Sequence, residues 1–147
     1  MKKIIAAFVL VNLFVQLVSA HGEDKLGPHK GFIRMPGAFH TEVVLNGKNK
    51  LKVYLLDMSW KNPSILKSSV EVRLMTQDSK VMCQPKDNYF HCIFPSKVNL
   101  TKKDELKILA LREDQVGSEA IYNLPLKLEK IKKSEKIEKM DHEGMHH

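Results

Sequence analysis

Apolar and polar residues alternate with a period of two in several short segments of this chain. The alternation is clearest in residues 51–56 and 70–75, where Leu or Val occupies every second position and charged residues or Tyr lie between them. A period of two is typical of strands with one buried face. Further strand-like segments, separated by turn-forming residues, are 32–35, 41–45, 106–111 and 120–126.

These segments and a cysteine-containing hairpin give about seven or eight short strands. We therefore predict an all-β fold, an antiparallel sandwich of immunoglobulin-like or cupredoxin-like type, over residues 32–126. The nearly continuous apolar run 106–111 is expected to be a central strand. The length of 147 residues is enough for one such domain with tails and too short for two.

The two cysteines lie on either side of a turn signal. A two-residue turn at Asp87 and Asn88 places Cys83 opposite Cys92 at a closely spaced, non-hydrogen-bonded pair of an antiparallel hairpin. We predict a cross-strand disulfide. The alternative is a thiolate metal site that also uses Met82 and His91.

The first twenty residues predict export. Lys2 and Lys3 precede an apolar run over residues 4–18, and Val18-Ser19-Ala20 supplies small residues for cleavage. This order is typical of a signal peptide, residues 1–20, rather than a membrane span. We expect a periplasmic or secreted protein, in a compartment that favours the disulfide. No later apolar run is long enough to span a bilayer, and export makes nucleic acid an unexpected partner.

The net charge is modestly positive. It is +7 for the whole chain and +5 once Lys2 and Lys3 are removed with the signal peptide. The lysines are scattered without interleaved aromatic residues, which indicates a solvated surface. Residues 127–147 form a Lys/Glu-rich segment followed by a His/Met tail, and the charged part is expected to be a frayed helix or a flexible tether.

Three histidines near the start suggest a nitrogen site for copper. Cleavage before His21 frees an α-amine beside the imidazole of His21, and these two nitrogens form a chelate. One more imidazole, from His29 or His40, completes a three-nitrogen Cu(II) site. The alternatives are that His21 is an incidental first residue of a flexible arm, residues 21–31, and that His40 only hydrogen-bonds a loop.

The C-terminal tail suggests a second, softer metal site. Thioether sulfur suits Cu(I) and Ag(I), while imidazole and the nearby carboxylates also suit Cu(II), Ni(II) and Zn(II). Copper is thus the expected ion, with silver, zinc and nickel as other candidates; an incidentally His-rich tail is the alternative. The candidate ligands in the tail are Met140, His142, Met145, His146 and His147.

Sequence motifs of catalysis are missing from the chain. It has no Gly-x-Ser-x-Gly, no His-Glu-x-x-His and no glycine-rich phosphate loop. Asp57 follows a strand, where the capping of a turn is its simplest role. We therefore expect a protein that is not an enzyme.

Residues 27–57 resemble a known family. The segments Gly27-Pro28-His29-Lys30-Gly31, 40–44 and 52–57 are similar to small periplasmic bacterial domains associated with heavy-metal and copper efflux. The resemblance implies a cupredoxin-like or immunoglobulin-like sandwich linked to metal resistance or delivery, with His29 as the key position. Lys30 departs from the second glycine of the family pattern.

The sequence thus predicts an exported metal-binding protein, with copper as the expected ion, that acts as a carrier, sensor or efflux accessory. The expected partners are the metal ion and an envelope efflux or delivery protein. One alternative is a structural or protein-interaction sandwich without metal. Another is an accessory subunit that docks through residues 127–139, and an enzyme is the third.

Overall fold

The computed structural model of the protein describes residues 24–128. The predicted signal peptide, the predicted cleavage site with His21, the Lys/Glu-rich segment from residue 129 onward and the His/Met tail lie outside this range. Between residues 24 and 128 there is no helix long and apolar enough to cross a membrane.

The described residues form two antiparallel five-stranded sheets, as the predicted all-β sandwich requires. Sheet A has the order β1-β2-β3-β7-β6, and sheet B has the order β10-β8-β4-β5 with β9 paired to β8. The strands are β1 (Phe32–Arg34), β2 (His40–Leu45), β3 (Lys50–Leu56), β4 (Ser69–Leu74), β5 (Ser79–Met82), β6 (Gln84–Lys86), β7 (Tyr89–Ile93), β8 (Asp104–Arg112), β9 (Gln115–Val116) and β10 (Ala120–Leu124).

The alternating pattern places one face of each sheet in the core. In β4, Val70, Val72 and Leu74 are buried, while Glu71 and Arg73 stay partly exposed on the other face. The apolar run in β8 lies between β10 and β4, so its predicted central position is confirmed. The main core contains the inward side chains of both sheets, among them Phe39, Leu51, Phe90, Ile108 and Tyr122.

The cysteine hairpin has the predicted register. β6 pairs with β7 so that Gln84 lies opposite His91 and Lys86 opposite Tyr89, and Cys83 and Cys92 form the disulfide. The alternative thiolate metal site is therefore wrong. Cys83 lies between β5 of sheet B and β6 of sheet A, so the disulfide anchors the point where the chain crosses between sheets.

The described range contains ten strands rather than seven or eight. The additional short strands arise where the chain changes direction. Glu113 and Asp114 adopt left-handed conformations, with φ of 48° and 65°. The chain therefore turns earlier than the expected turn at residues 114–117, and Gln115–Val116 pairs back onto β8 as β9.

Buried polar contacts join the two sheets. The Tyr122 hydroxyl of β10 lies 2.6 Å from Thr41 Oγ1 and donates to the Thr41 carbonyl at 3.0 Å. Arg112 of β8 donates to the carbonyls of Leu55 and Asn62 at 3.2 and 2.8 Å. Because buried polar groups need partners, these bonds favour one relative placement of the sheets.

Candidate functional site

The outer face of sheet A, which is turned away from the main core, carries a second buried cluster. Thr41 and Val43 point into the core, so the strand period directs His40, Glu42 and Val44 to the opposite face. Ile33, Tyr54, Leu56 and Tyr89 form the cluster there, with Val44 and Trp60 packed against it.

A tight turn of the N-terminal arm covers this face. Gly27 N donates to Gly31 O at 2.8 Å, and Lys30 N donates to Gly27 O at 2.9 Å. A Cβ atom on Gly27 would lie 2.5 Å from Glu42 Oε1, and one on Gly31 would lie 2.7 Å from the Val43 carbonyl. The arm lies this close to the sheet because neither position has a side chain.

Glu42 is a fully buried carboxylate whose two oxygens are both hydrogen-bonded. Oε1 accepts from the backbone N–H groups of His29 at 2.8 Å and Gly31 at 2.9 Å. Oε2 lies 2.7 Å from His29 Nδ1. A buried charge is tolerated only with such partners, so Glu42 fixes both the backbone of the arm and the imidazole of His29.

The carboxylate of Glu42 determines which ring nitrogen of His29 has a lone pair that can bind a ligand. Nδ1 must carry a proton to bond Glu42 Oε2, and in a neutral imidazole this leaves the lone pair on Nε2. Nε2 forms no hydrogen bond within residues 24–128, and the side chain is 30% exposed. The imidazole of His29 also stacks on the ring of Tyr54, with the centroids 3.7 Å apart and an angle of 3° between the ring planes.

The ring on which the His29 imidazole stacks, that of Tyr54, is uncharged. Burial raises the pKa of its phenol, and the neighbouring Tyr89, Glu42 and Asp87 add to this effect. The ring therefore stays protonated at neutral pH. Tyr54 in turn packs against Tyr89, with centroids 5.4 Å apart.

His40 lies on the same face as Glu42, two residues along β2, but it is only 4% exposed. Its Nδ1 lies 3.2 Å from the Asp57 carbonyl, and its ring meets the edge of Trp60 at 5.8 Å. The Asp57 side chain accepts hydrogen bonds from the following turn, which confirms its predicted capping role. His40 thus contacts the loop that begins at Asp57.

Residues 24–128 contain no group of three or more His, Cys, Asp or Glu residues arranged to hold a metal ion. The structure joins His29 to Glu42 and places His40 further along the same face. The other predicted ligands, His21, Met140, His142, Met145, His146 and His147, lie outside the described range.

The sequence pattern alone does not identify Glu42 and Tyr54 as site residues. Their signal is a lone acidic residue in the apolar strand 41–45 and an aromatic residue at a polar position of the next strand. Register decides their roles, since β2 and β3 pair Glu42 directly with Tyr54.

His91 is another titratable group on this face. Its Nε2 is buried and is the one buried side-chain nitrogen or oxygen in the described chain without a hydrogen-bond partner. Burial lowers the pKa of His91, and the charges of Lys86, Lys50 and Lys52 lower it further.

The chain matches no protein-family model, no curated protein and no solved structure. The resemblance of residues 27–57 to efflux-associated domains therefore stays a prediction that rests on those residues alone.

Proposed function

We propose that this protein is exported and binds a transition-metal ion, copper above all, with His29 Nε2 as the ligand supplied by the folded domain. The observation that carries this proposal is the 2.7 Å contact between His29 Nδ1 and the buried Glu42. Metal-binding histidines almost always donate their other ring N–H to a carboxylate, a carbonyl or water, which fixes the tautomer and makes the ligating nitrogen more basic.

The other nitrogen ligands for Cu(II) would come from the N-terminal arm, and the C-terminal tail would be a separate, softer capture site. His21 is eight residues before His29 and offers an α-amine and an imidazole after cleavage, and the tail offers imidazole and thioether groups. Copper fits this mixture because Cu(II) favours nitrogen donors and Cu(I) accepts thioether sulfur. Sites at the chain ends suit a carrier, sensor or efflux accessory that gives its ion away, rather than an enzyme.

Export is supported by two independent features. The first twenty residues have the order of a signal peptide, and the folded domain contains a disulfide. A periplasmic or secreted location gives such a protein access to copper before the ion enters the cell.

Native mass spectrometry of the exported protein with Cu(I), Cu(II) or Zn(II) tests this proposal. We expect one Cu(II) to stay bound to the wild type and to a variant that ends at Lys139, and to be lost from His29→Gln. His91→Gln is the matched control, because it removes another imidazole from the same face. Equal copper retention by both histidine variants would contradict a role for His29.

A further inference from the structure

The outer faces of the two sheets differ in how their cations are paired. On sheet B, Arg73 and Lys80 contact Glu71 at 2.7 and 3.3 Å, and Lys107 contacts Glu105 and Glu119 at 3.6 and 3.4 Å. On sheet A, three lysines have no carboxylate oxygen within 4 Å among residues 24–128. They are Lys50, Lys52 and Lys86.

The strand register brings these lysines to one area. Lys52 lies directly opposite His91, Lys50 lies opposite Ile93, and Lys86 lies opposite Tyr89. Because opposed residues share a face, all three side chains surround His91 on the outer face of sheet A. We call Lys50, Lys52, Lys86 and His91 the lysine face.

The lysine face is an area of unbalanced positive potential. Burial is the main cause of the lowered pKa of His91, and the three ammonium groups lower it further. Lys52 Nζ lies 4.8 Å from the centroid of the Tyr89 ring rather than beside an acid. Glu42 is bonded to the arm, and Asp87, which is near enough to influence Tyr54, forms no ion pair with any of the three lysines.

We infer that the lysine face is a docking surface for an extended, acidic segment of a partner protein. Alternate residues of a strand are about 6.8 Å apart, so Lys50 and Lys52 have the same spacing as alternate carboxylates of an extended peptide. Lys86 is two strands away, about 9.6 Å across the sheet, and its side chain lies on the same face, within reach of the same peptide. Complementary charge of this kind favours fast and selective association.

Nucleic acid is a poorer fit to this surface. Single strands bind through aromatic rings on which bases stack. On this face, however, Tyr54 is covered by the imidazole of His29, and Tyr89 is only 8% exposed. Neither tyrosine beside the lysine face is therefore free for a base.

An anionic membrane is also a poorer fit. Surface-bound elements insert a broad apolar face between lipid headgroups. Of the large apolar side chains near the lysines, Ile93 is 52% exposed to solvent, whereas Leu56 and Ile33 are buried. The charge is present here without the apolar area that insertion requires.

Fluorescence anisotropy with a labelled peptide of alternating Glu and Thr tests the inference on the full exported chain. The variant Lys50→Gln/Lys52→Gln/Lys86→Gln should bind at least tenfold more weakly than the wild type. The control Lys61→Gln/Lys102→Gln/Lys103→Gln removes the same charge from exposed loops and should bind within twofold of the wild type. Equal losses in both triple variants would show attraction to net charge alone and would overturn the inference.

Two further probes compare the other partners. Single-stranded DNA and vesicles with 30% anionic lipid should bind more weakly than the peptide at the same ionic strength. Stronger binding of either would also overturn the inference.

The NMR signal of the His91 imidazole shows whether the peptide docks at the lysine face. The peptide neutralises the surrounding lysines, so the NMR-determined pKa of His91 should rise on binding, and an unchanged value would contradict docking at this face.

Discussion

At the scale of single residues, Glu42 is the side chain on which the candidate site depends. A carboxylate without solvent exposure is unfavourable unless its oxygens are bonded, and here two backbone N–H groups and one imidazole bond them. The same three bonds place the arm over the sheet and set the tautomer of His29. One residue thus links the local fold to the proposed chemistry.

Replacement of Glu42 by Ala is expected to destabilise the protein by about 3 kcal/mol, because the N–H groups of His29 and Gly31 lose their acceptor inside a covered site. Urea unfolding at pH 7 measures this loss. Amide hydrogen exchange of Gly31 should become faster in the variant, and a stability within about 0.5 kcal/mol of the wild type would contradict the assigned role.

Lys30 occupies a backbone conformation that favours glycine, with φ of 60°. A glycine at this position, as in the pattern that residues 27–31 resemble, would be free of this strain. Lys30→Gly should stabilise the protein by about 0.5–1 kcal/mol, since relief of left-handed strain exceeds the added entropy of the unfolded chain. Thermal unfolding measures the change. Lys48→Gly is the control at a position without positive φ, and it should not be stabilising; equal gains would refute the explanation.

At the scale of elements, the sequence predicts pairings between neighbouring residues better than contacts between residues far apart in the chain. The β6–β7 register follows from a two-residue turn and two cysteines within ten residues, and it is correct in the structure. The Glu42–His29 bond instead depends on an arm that folds back over a strand thirteen residues away. No periodicity encodes that contact, so the sequence named His29 but not its carboxylate.

Removal of the disulfide tests the role of the crossing between sheets. Cys83→Ser/Cys92→Ser should lower the free energy of unfolding by about 2–3 kcal/mol, the loop entropy expected for a sequence separation of 9. Urea unfolding under oxidising conditions gives the value. The reduced wild type should unfold like the double variant, and a double variant as stable as the oxidised protein would contradict this role.

At the scale of the whole molecule, two sheets are held face to face by an apolar core and a few buried polar contacts. The alternation of side chains predicted the layers, because the period of two specifies which face is apolar. It did not predict how the sheets are placed on each other. That placement includes the contact of Tyr122 with Thr41, which are 81 residues apart in the chain.

Tyr122→Phe should destabilise the protein by about 1–3 kcal/mol, because the buried Thr41 hydroxyl and carbonyl lose their partner.

Tyr122→Phe should also change how the free energy of unfolding depends on pH in alkaline solution. Burial raises the pKa of Tyr122 above that of the unfolded chain, so the folded state keeps its proton and wild-type stability falls as the pH rises above about 10. Unfolding between pH 8 and 11 should show a smaller fall in the variant, and identical slopes would contradict this.

The most direct test of metal binding through His29 is the Cu(II) affinity of Glu42→Gln, measured by competition with a chelator at pH 7. In this variant the amide oxygen still accepts the backbone bonds, but the amide nitrogen donates to Nδ1 and moves the proton of His29 onto Nε2. We predict an affinity loss of about 10–100-fold with the fold retained, while His91→Gln binds as the wild type does. Unchanged Cu(II) affinity in a folded Glu42→Gln protein would show that His29 Nε2 does not bind the metal.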